Sequence, residues 1–214
     1  MVTKGVIMDN LVLVNKQHGL DLNYKPNDLE SCDQDINARF KRDKYIRREA
    51  CINFLKLRKD ALIKKYDIYA CSGYRTAEYQ QSVFDKYFKQ NYEMLKQKNP
   101  NEKDEVLNAM AYDLTAARVA LPGHSEHQTG LAIDIECYYN DNYDQDICND
   151  EEVEWMADNA YKYGFILRYP KGKKGITGYN YEPWHYRYIG EEYSYDYMKS
   201  GLTYEEYYEK VLKR

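Results

Sequence analysis

The run Leu131-Ala132-Ile133-Asp134-Ile135 constrains this chain more than any other stretch. It reads as a core strand with a carboxylate set into it. Asp134 is therefore expected to be buried, and a buried charge needs a partner. Just upstream lies Ser125-Glu126-His127-Gln128-Thr129-Gly130. His127 precedes a glycine turn that feeds the strand, so a loop side chain and a strand side chain can converge on one point. An imidazole and a carboxylate suit zinc, which takes N and O ligands tetrahedrally. Taken alone, His127 reads first as a polar loop histidine; taken with Asp134, local spacing leaves the metal reading and the plain one equally open.

A second cluster, Glu182-Pro183-Trp184-His185, shifts that balance. With His185 as a third ligand, the fourth zinc position stays open for water. Glu182 is then a spare carboxylate able to take a proton from that water, whose pKa zinc lowers to roughly 7. Pro183 disfavours a regular helix here, which separates the cluster from the helical HExxH arrangement. The plainer alternative is a surface glutamate and a histidine packed beside Trp184.

Ser72-Gly73-Tyr74-Arg75-Thr76 ends a predicted strand at a glycine turn. Arg75 there can stabilise an oxyanion or clamp a carboxylate with its fork of donors; its bland reading is a surface arginine at a turn. Gln80 and Ser125 are neutral groups able to orient a peptide. His124 and His18 read as packing or surface residues, and Lys171-Gly172-Lys173-Lys174 as a solvated basic turn.

The 214 residues fit one domain or one domain with extensions, and a hydrophobic fraction of 43% supplies a core. A net charge of -4 argues against nucleic-acid binding. The 25 tyrosines suit core edges and a groove for a polar, extended substrate. Five cysteines without a CxxC argue against a disulfide scaffold. Cys137 and Cys148 are close enough in sequence to pair, but free thiols are the expectation. No run is long and apolar enough to span a bilayer, and Met1 to Asn10 does not read as a signal peptide.

Along the chain, Leu11 to Val14 reads as a short strand and Asn15 to Leu29 as an extended lead-in. Helical spacing covers Arg47 to Lys65, a stretch from near Thr76, and Asp104 to Arg118. Asp150 reads as the cap of a helix through Tyr161, and Thr203-Tyr204-Glu205-Glu206 as a capping box before a last helix. Strands are expected at Ile68 to Cys71, Leu131 to Glu136, Phe165 to Tyr169 and Tyr186 to Ile189. Helices mixed irregularly with short strands indicate an α+β fold.

These blocks resemble the VanY-type D-alanyl-D-alanine carboxypeptidases, zinc peptidases that trim peptidoglycan stems. The resemblance covers nearly the whole chain and rests on Leu13-Val14-Asn15-Lys16, Tyr69 to Arg75, Pro122 to Asp134, Gly164 to Pro170, and Thr177 through Tyr188, above all on SxHxxGxAxD followed by ExxH. It implies His127, Asp134 and His185 as ligands of one Zn2+ ion, and Glu182 as the base that later protonates the leaving amine. It implies Arg75 as the group steadying the scissile carbonyl, and Ser125 and Gln80 as substrate-positioning residues. The implied fold is a small antiparallel sheet carrying the zinc, flanked by helices, as in the hedgehog signalling domain. Residues 1–30 are then a lead-in packed on a single domain of residues 31–214. Phe84 to Arg118, longer and more helical than the family pattern, is a candidate lid.

The activity implied is removal of a terminal D-alanine, D,D- or L,D-, from stem peptides or muropeptides. An L-alanyl-D-glutamate endopeptidase and a non-catalytic cell-wall binding module are the alternatives. The protein is expected to act as a monomer outside the cytoplasm, its leader or anchor lying outside this chain, with a cytoplasmic location as the alternative.

Overall fold

A computed structural model describes residues 9–32, 45–137 and 148–213. In chain order the elements are β1 (Leu29–Ser31), β2 (Tyr45–Arg47), α1 (Arg48–Ile63), β3 (Ile68–Ser72), α2 (Ala77–Lys98), α3 (Asp104–Ala116), β4 (Ala132–Cys137), α4 (Asp150–Asn159), β5 (Phe165–Leu167), α5 (Lys174–Thr177), β6 (His185–Tyr188), α6 (Glu191–Ser200) and α7 (Tyr204–Tyr207). Among the described residues two antiparallel sheets result: β1 pairs with β2, and the central sheet runs β3-β4-β6-β5. This is the α+β architecture expected.

Strand alternation sorts the central sheet into two chemically distinct faces. Ile68 and Ala70 of β3, Ile133 and Ile135 of β4, Phe165 of β5, and Tyr186 and Tyr188 of β6 join one core cluster. Against them pack Phe54, Leu57 and Ala61 of α1 and Met156 of α4. The intervening residues, Asp134, His185 and Arg187, point the other way. Asp134 stands opposite His185 in the β4–β6 register. The register slips between Ala70 and Ser72, so Ser72 rather than Cys71 opposes Asp134. That bulge adds a residue to β3 and turns Ser72 toward the polar face.

Local chemistry fixes the helix starts. The Thr76 hydroxyl accepts the Tyr79 N–H to begin α2, and Thr203 and Glu206 form the expected capping box for α7. For α4 the cap is Asn149, not Asp150. Asn149 is extended and shares a reciprocal capping box with Glu152, which leaves Asp150 in the first turn. The α2–α3 hairpin closes over Leu95, Leu107 and Ala111.

Two further expectations fail. Leu11 to Val14 is not a strand: a 3-10 turn at Asp9–Leu11 leads into irregular chain. Leu11 and Leu13 are still buried, against Ile166, Ile189 and Tyr204. The Asn10 and Val12 carbonyls are taken by Arg187 Nη2, so a side chain replaces a partner strand. Cys137 and Cys148 are not free thiols but a disulfide across a sequence separation of 11. Cys137 ends β4 and Cys148 directly precedes the α4 cap, which brings their Cα atoms to 4.8 Å. The acidic stretch 138–147 between them lies outside the described residues. No helix among the described residues is long and apolar enough to cross a membrane.

Candidate metal centre and its cleft

Three elements bring the candidate ligands together. His127 comes from a 3-10 turn, Glu126–Thr129, that ends at Gly130. Gly130 has φ 68°, and a Cβ there would lie 2.8 Å from Leu29 Cδ2, so the turn into β4 requires glycine. Asp134 lies on β4 and His185 opens β6. One ligand atom from each of the three side chains falls within 4.8 Å of the other two. His127 Nε2 is 3.3 Å and His185 Nδ1 3.1 Å from Asp134 Oδ1.

The far nitrogens of both imidazoles are committed. His127 Nδ1 donates to the Gly73 carbonyl at 2.7 Å, and His185 Nε2 lies 3.4 Å from Glu126 Oε2. Such partners fix tautomer and ring orientation at metal sites. Gly73 is placed for this: a Cβ would come within 2.3 Å of the Tyr45 carbonyl. Tyr169 stacks on His185 with centroids 4.9 Å apart. Two buried imidazoles and a carboxylate that is half-buried rather than fully buried as expected, all oriented from behind, fit a zinc ion with an open fourth position. The other metal-like cluster among the described residues, Cys137, Cys148 and Glu152, has its sulfurs in the disulfide.

Electrostatics support the grouping. Burial opposes ionisation of Asp134, yet His127, His185 and Arg75 hold its carboxyl well below the usual range. Burial, then the Arg75 charge, lowers the His127 pKa. Burial also pulls His185 down, but hydrogen bonds to Asp134 and Glu126 outweigh it and push it up to about 9. Glu182 is the reverse case: buried, it is raised to about 7.

The centre opens on a cleft of about 700 Å³ whose lining includes Arg75, Gln80, Ser125, Glu182 and Trp184. Arg75 Nη2 pairs with Asp134 Oδ2 at 2.8 Å and Arg75 Nε donates to Ser72 Oγ. Gln80 and Ser125 are both buried. Gln80 Nε2 donates to the Ala120 carbonyl, while its Oε1 has no partner. His124 instead bonds the Asn15 carbonyl through Nδ1, and His18 turns back to Asn15 Oδ1.

Sequence reasoning missed Glu126. Its carboxylate is fully buried, 2.9 Å from both Arg168 Nε and Arg187 Nη1, themselves fully buried. Arg168 also pairs with Glu205 of α7. This network ties His185 to the N-terminal segment and to the last helices. The signal was present: Arg168 and Arg187 sit in apolar strand sequence and demand buried carboxylates.

Comparison with known proteins agrees with the geometry. The VanY family, described as D-alanyl-D-alanine carboxypeptidase, matches residues 43–191. The putative carboxypeptidase YodJ of Bacillus subtilis is 42% identical over 206 residues, covering 95% of this chain and 68% of that protein. Among solved structures, the LdcB LD-carboxypeptidase, whose structure is described as revealing the molecular basis of peptidoglycan recognition, superposes with TM-score 0.73. It is 38% identical and covers 95% of this chain and 87% of that one. A VanY D,D-pentapeptidase in complex with Zn(II), from a VanB-type vancomycin resistance cassette, gives TM-score 0.72 at 32% identity, covering 93% of this chain and 98% of that one.

Proposed function

Because the chain belongs to the VanY family of D-alanyl-D-alanine carboxypeptidases, and is thus a peptidase, we propose that it removes a terminal D-alanine from peptidoglycan stem peptides with one zinc ion held by His127, Asp134 and His185. The observation that carries the proposal is the convergence of those three side chains at the base of a cleft also lined by a buried Glu182. Bound there, zinc supplies Lewis acidity, polarising a peptide carbonyl and acidifying a water molecule.

The chain's own residues then divide the work. Glu182, its affinity for a proton raised by burial, accepts the proton of the attacking water and returns it to the leaving amine. Arg75 Nη1 makes no hydrogen bond among the described residues, while Nε and Nη2 are held by Ser72 and Asp134. That leaves a fixed donor for the carbonyl oxygen as it gains negative charge. Ser125, and Gln80 with its unpartnered Oε1, orient the peptide's C-terminal residue.

Incubation with defined tri-, tetra- and pentapeptide stems, read by mass spectrometry, tests the proposal. Free D-alanine from the pentapeptide identifies D,D-activity, and release from the tetrapeptide L,D-activity. Cleavage after the first L-alanine contradicts it and makes the protein an endopeptidase.

A further inference from the structure

Three arginine or lysine side chains line the cleft: Arg75, Lys86 and Arg118. Arg75 is engaged by Asp134 and Ser72. The side chains of Lys86 and Arg118 join no ion pair or hydrogen bond among the described residues. Aromatic rings hold them instead. The Arg118 guanidinium carbon lies 5.2 Å from the centre of the Trp184 ring and 5.8 Å from that of Tyr87. Lys86 Nζ lies 5.8 Å from the same Tyr87 ring.

A ring contact holds a cation without consuming its N–H donors. The Arg118 fork therefore stays available to a planar, bidentate anion, which a carboxylate matches. The cleft's own carboxylates are occupied or lie beyond ion-pair distance. Glu126 pairs with two arginines, Asp134 with Arg75, and Glu136 accepts from Tyr69 and Cys71. Glu182 feels the Arg118 charge, which partly offsets the effect of burial on its carboxyl, but makes no ion pair or hydrogen bond with it. The position of Arg118 is itself fixed. Its N–H bonds the Thr115 carbonyl at the end of α3, and the neighbouring Ala117 carbonyl accepts the Asn180 N–H two residues before Glu182.

We infer that Arg118, with Lys86 beside it, forms a carboxylate subsite for a free α-carboxylate in the stem peptide, that of a γ-linked D-glutamyl residue on the N-terminal side of the scissile bond. The inference rests on the peptidase reading above. The substrate's terminal carboxylate lies one residue from the scissile bond and falls to the buried end of the cleft, near Ser125 and Gln80. Arg118 and Lys86 are exposed at its mouth, where a longer stem emerges.

The test uses the zinc-loaded full chain and two matched peptide pairs. These are L-alanyl-γ-D-glutamyl-L-lysyl-D-alanine and its D-alanyl-extended pentapeptide, each with the D-glutamyl α-carboxylate free or converted to the carboxamide. The wild type should show a KM roughly tenfold lower for the free acid, the size of one charge-assisted hydrogen bond, with kcat little different. Arg118→Gln should bring the ratio of the two KM values close to unity, and Arg118→Lys should restore part of it. Equal KM values in the wild type overturn the subsite, as does a ratio that survives Arg118→Gln. Absence of D-alanine release from every peptide overturns the peptidase reading itself, and the subsite with it.

Discussion

Glu126→Gln removes the charge on which the interior of the polar face depends. Arg168 and Arg187 are fully buried, and each donates to Glu126 at 2.9 Å. After the substitution Arg168 keeps Glu205, at 2.5 and 3.0 Å. Arg187 keeps the carbonyls of Tyr188, Asn10 and Val12 and the face of the Tyr204 ring but no carboxylate, so its charge becomes the uncompensated one. Breaking a buried pair by removing one partner costs about 3–5 kcal/mol. Glutamine retains one acceptor, which places the loss at about 3 kcal/mol. At roughly 2–4 °C per kcal/mol for a chain of this size, Tm falls by about 6–12 °C. Urea unfolding and thermal melts, with and without zinc, measure it.

A second variant isolates the pairwise term. Adding Arg187→Met to Glu126→Gln should cost less than the sum of the single changes, because the orphaned charge is gone. Burial opposes ionisation of Glu126, but the Arg168 and Arg187 charges hold its carboxyl far below the usual range. In the unfolded chain it titrates near ~4.3. Its contribution is therefore complete above that pH and fades as pH falls toward the folded value, so Glu126→Gln should flatten the acid side of the stability curve. A loss below about 1 kcal/mol, or strictly additive variants, would refute the network's structural role.

Glu182→Gln should retain zinc while kcat falls by at least ~100-fold; turnover within a few-fold of wild type removes Glu182 from the mechanism. As a base it must be ionised, so kcat/KM should decline as pH drops through its pKa. Burial and the Asp134 charge, partly offset by the His185, Arg118 and Arg75 charges, set that at about 7; a bound cation lowers it, and the acid limb belongs at or below neutrality. An acid limb retained in Glu182→Gln would assign it to another group. Reducing the Cys137–Cys148 bridge, or replacing both residues with serine, should cost about 2–4 kcal/mol, seen as a lower urea midpoint; equal midpoints with and without reductant contradict this.

The strands that carry the site were legible because burial on one face forces alternation. Ile133 and Ile135 against Asp134 mark β4, and Tyr186 and Tyr188 against His185 mark β6. The helix starts with side-chain caps were equally readable, within one residue at Asn149. What was not legible depends on distant partners. Leu11 to Val14 has strand composition, but its carbonyls meet the Arg187 guanidinium instead of a ladder. The three-residue strands β1 and β2 are too short for a periodic signal. Helix α6, Glu191–Ser200, is rich in tyrosine, which carries little helix preference, and packing of Tyr197 decides it. The bulge that aims Ser72, and the buried role of Glu126, follow from register and from two arginines far along the chain.

Zinc content measured together with peptide turnover, across the wild type and His127→Ala, Asp134→Ala and His185→Ala, tests the central claim most directly. The account predicts equimolar zinc in the wild type, and for each variant a loss of zinc affinity that parallels the loss of D-alanine release. Full activity in the His185→Ala protein, or a wild type that binds no zinc after reconstitution and still cleaves, would contradict it.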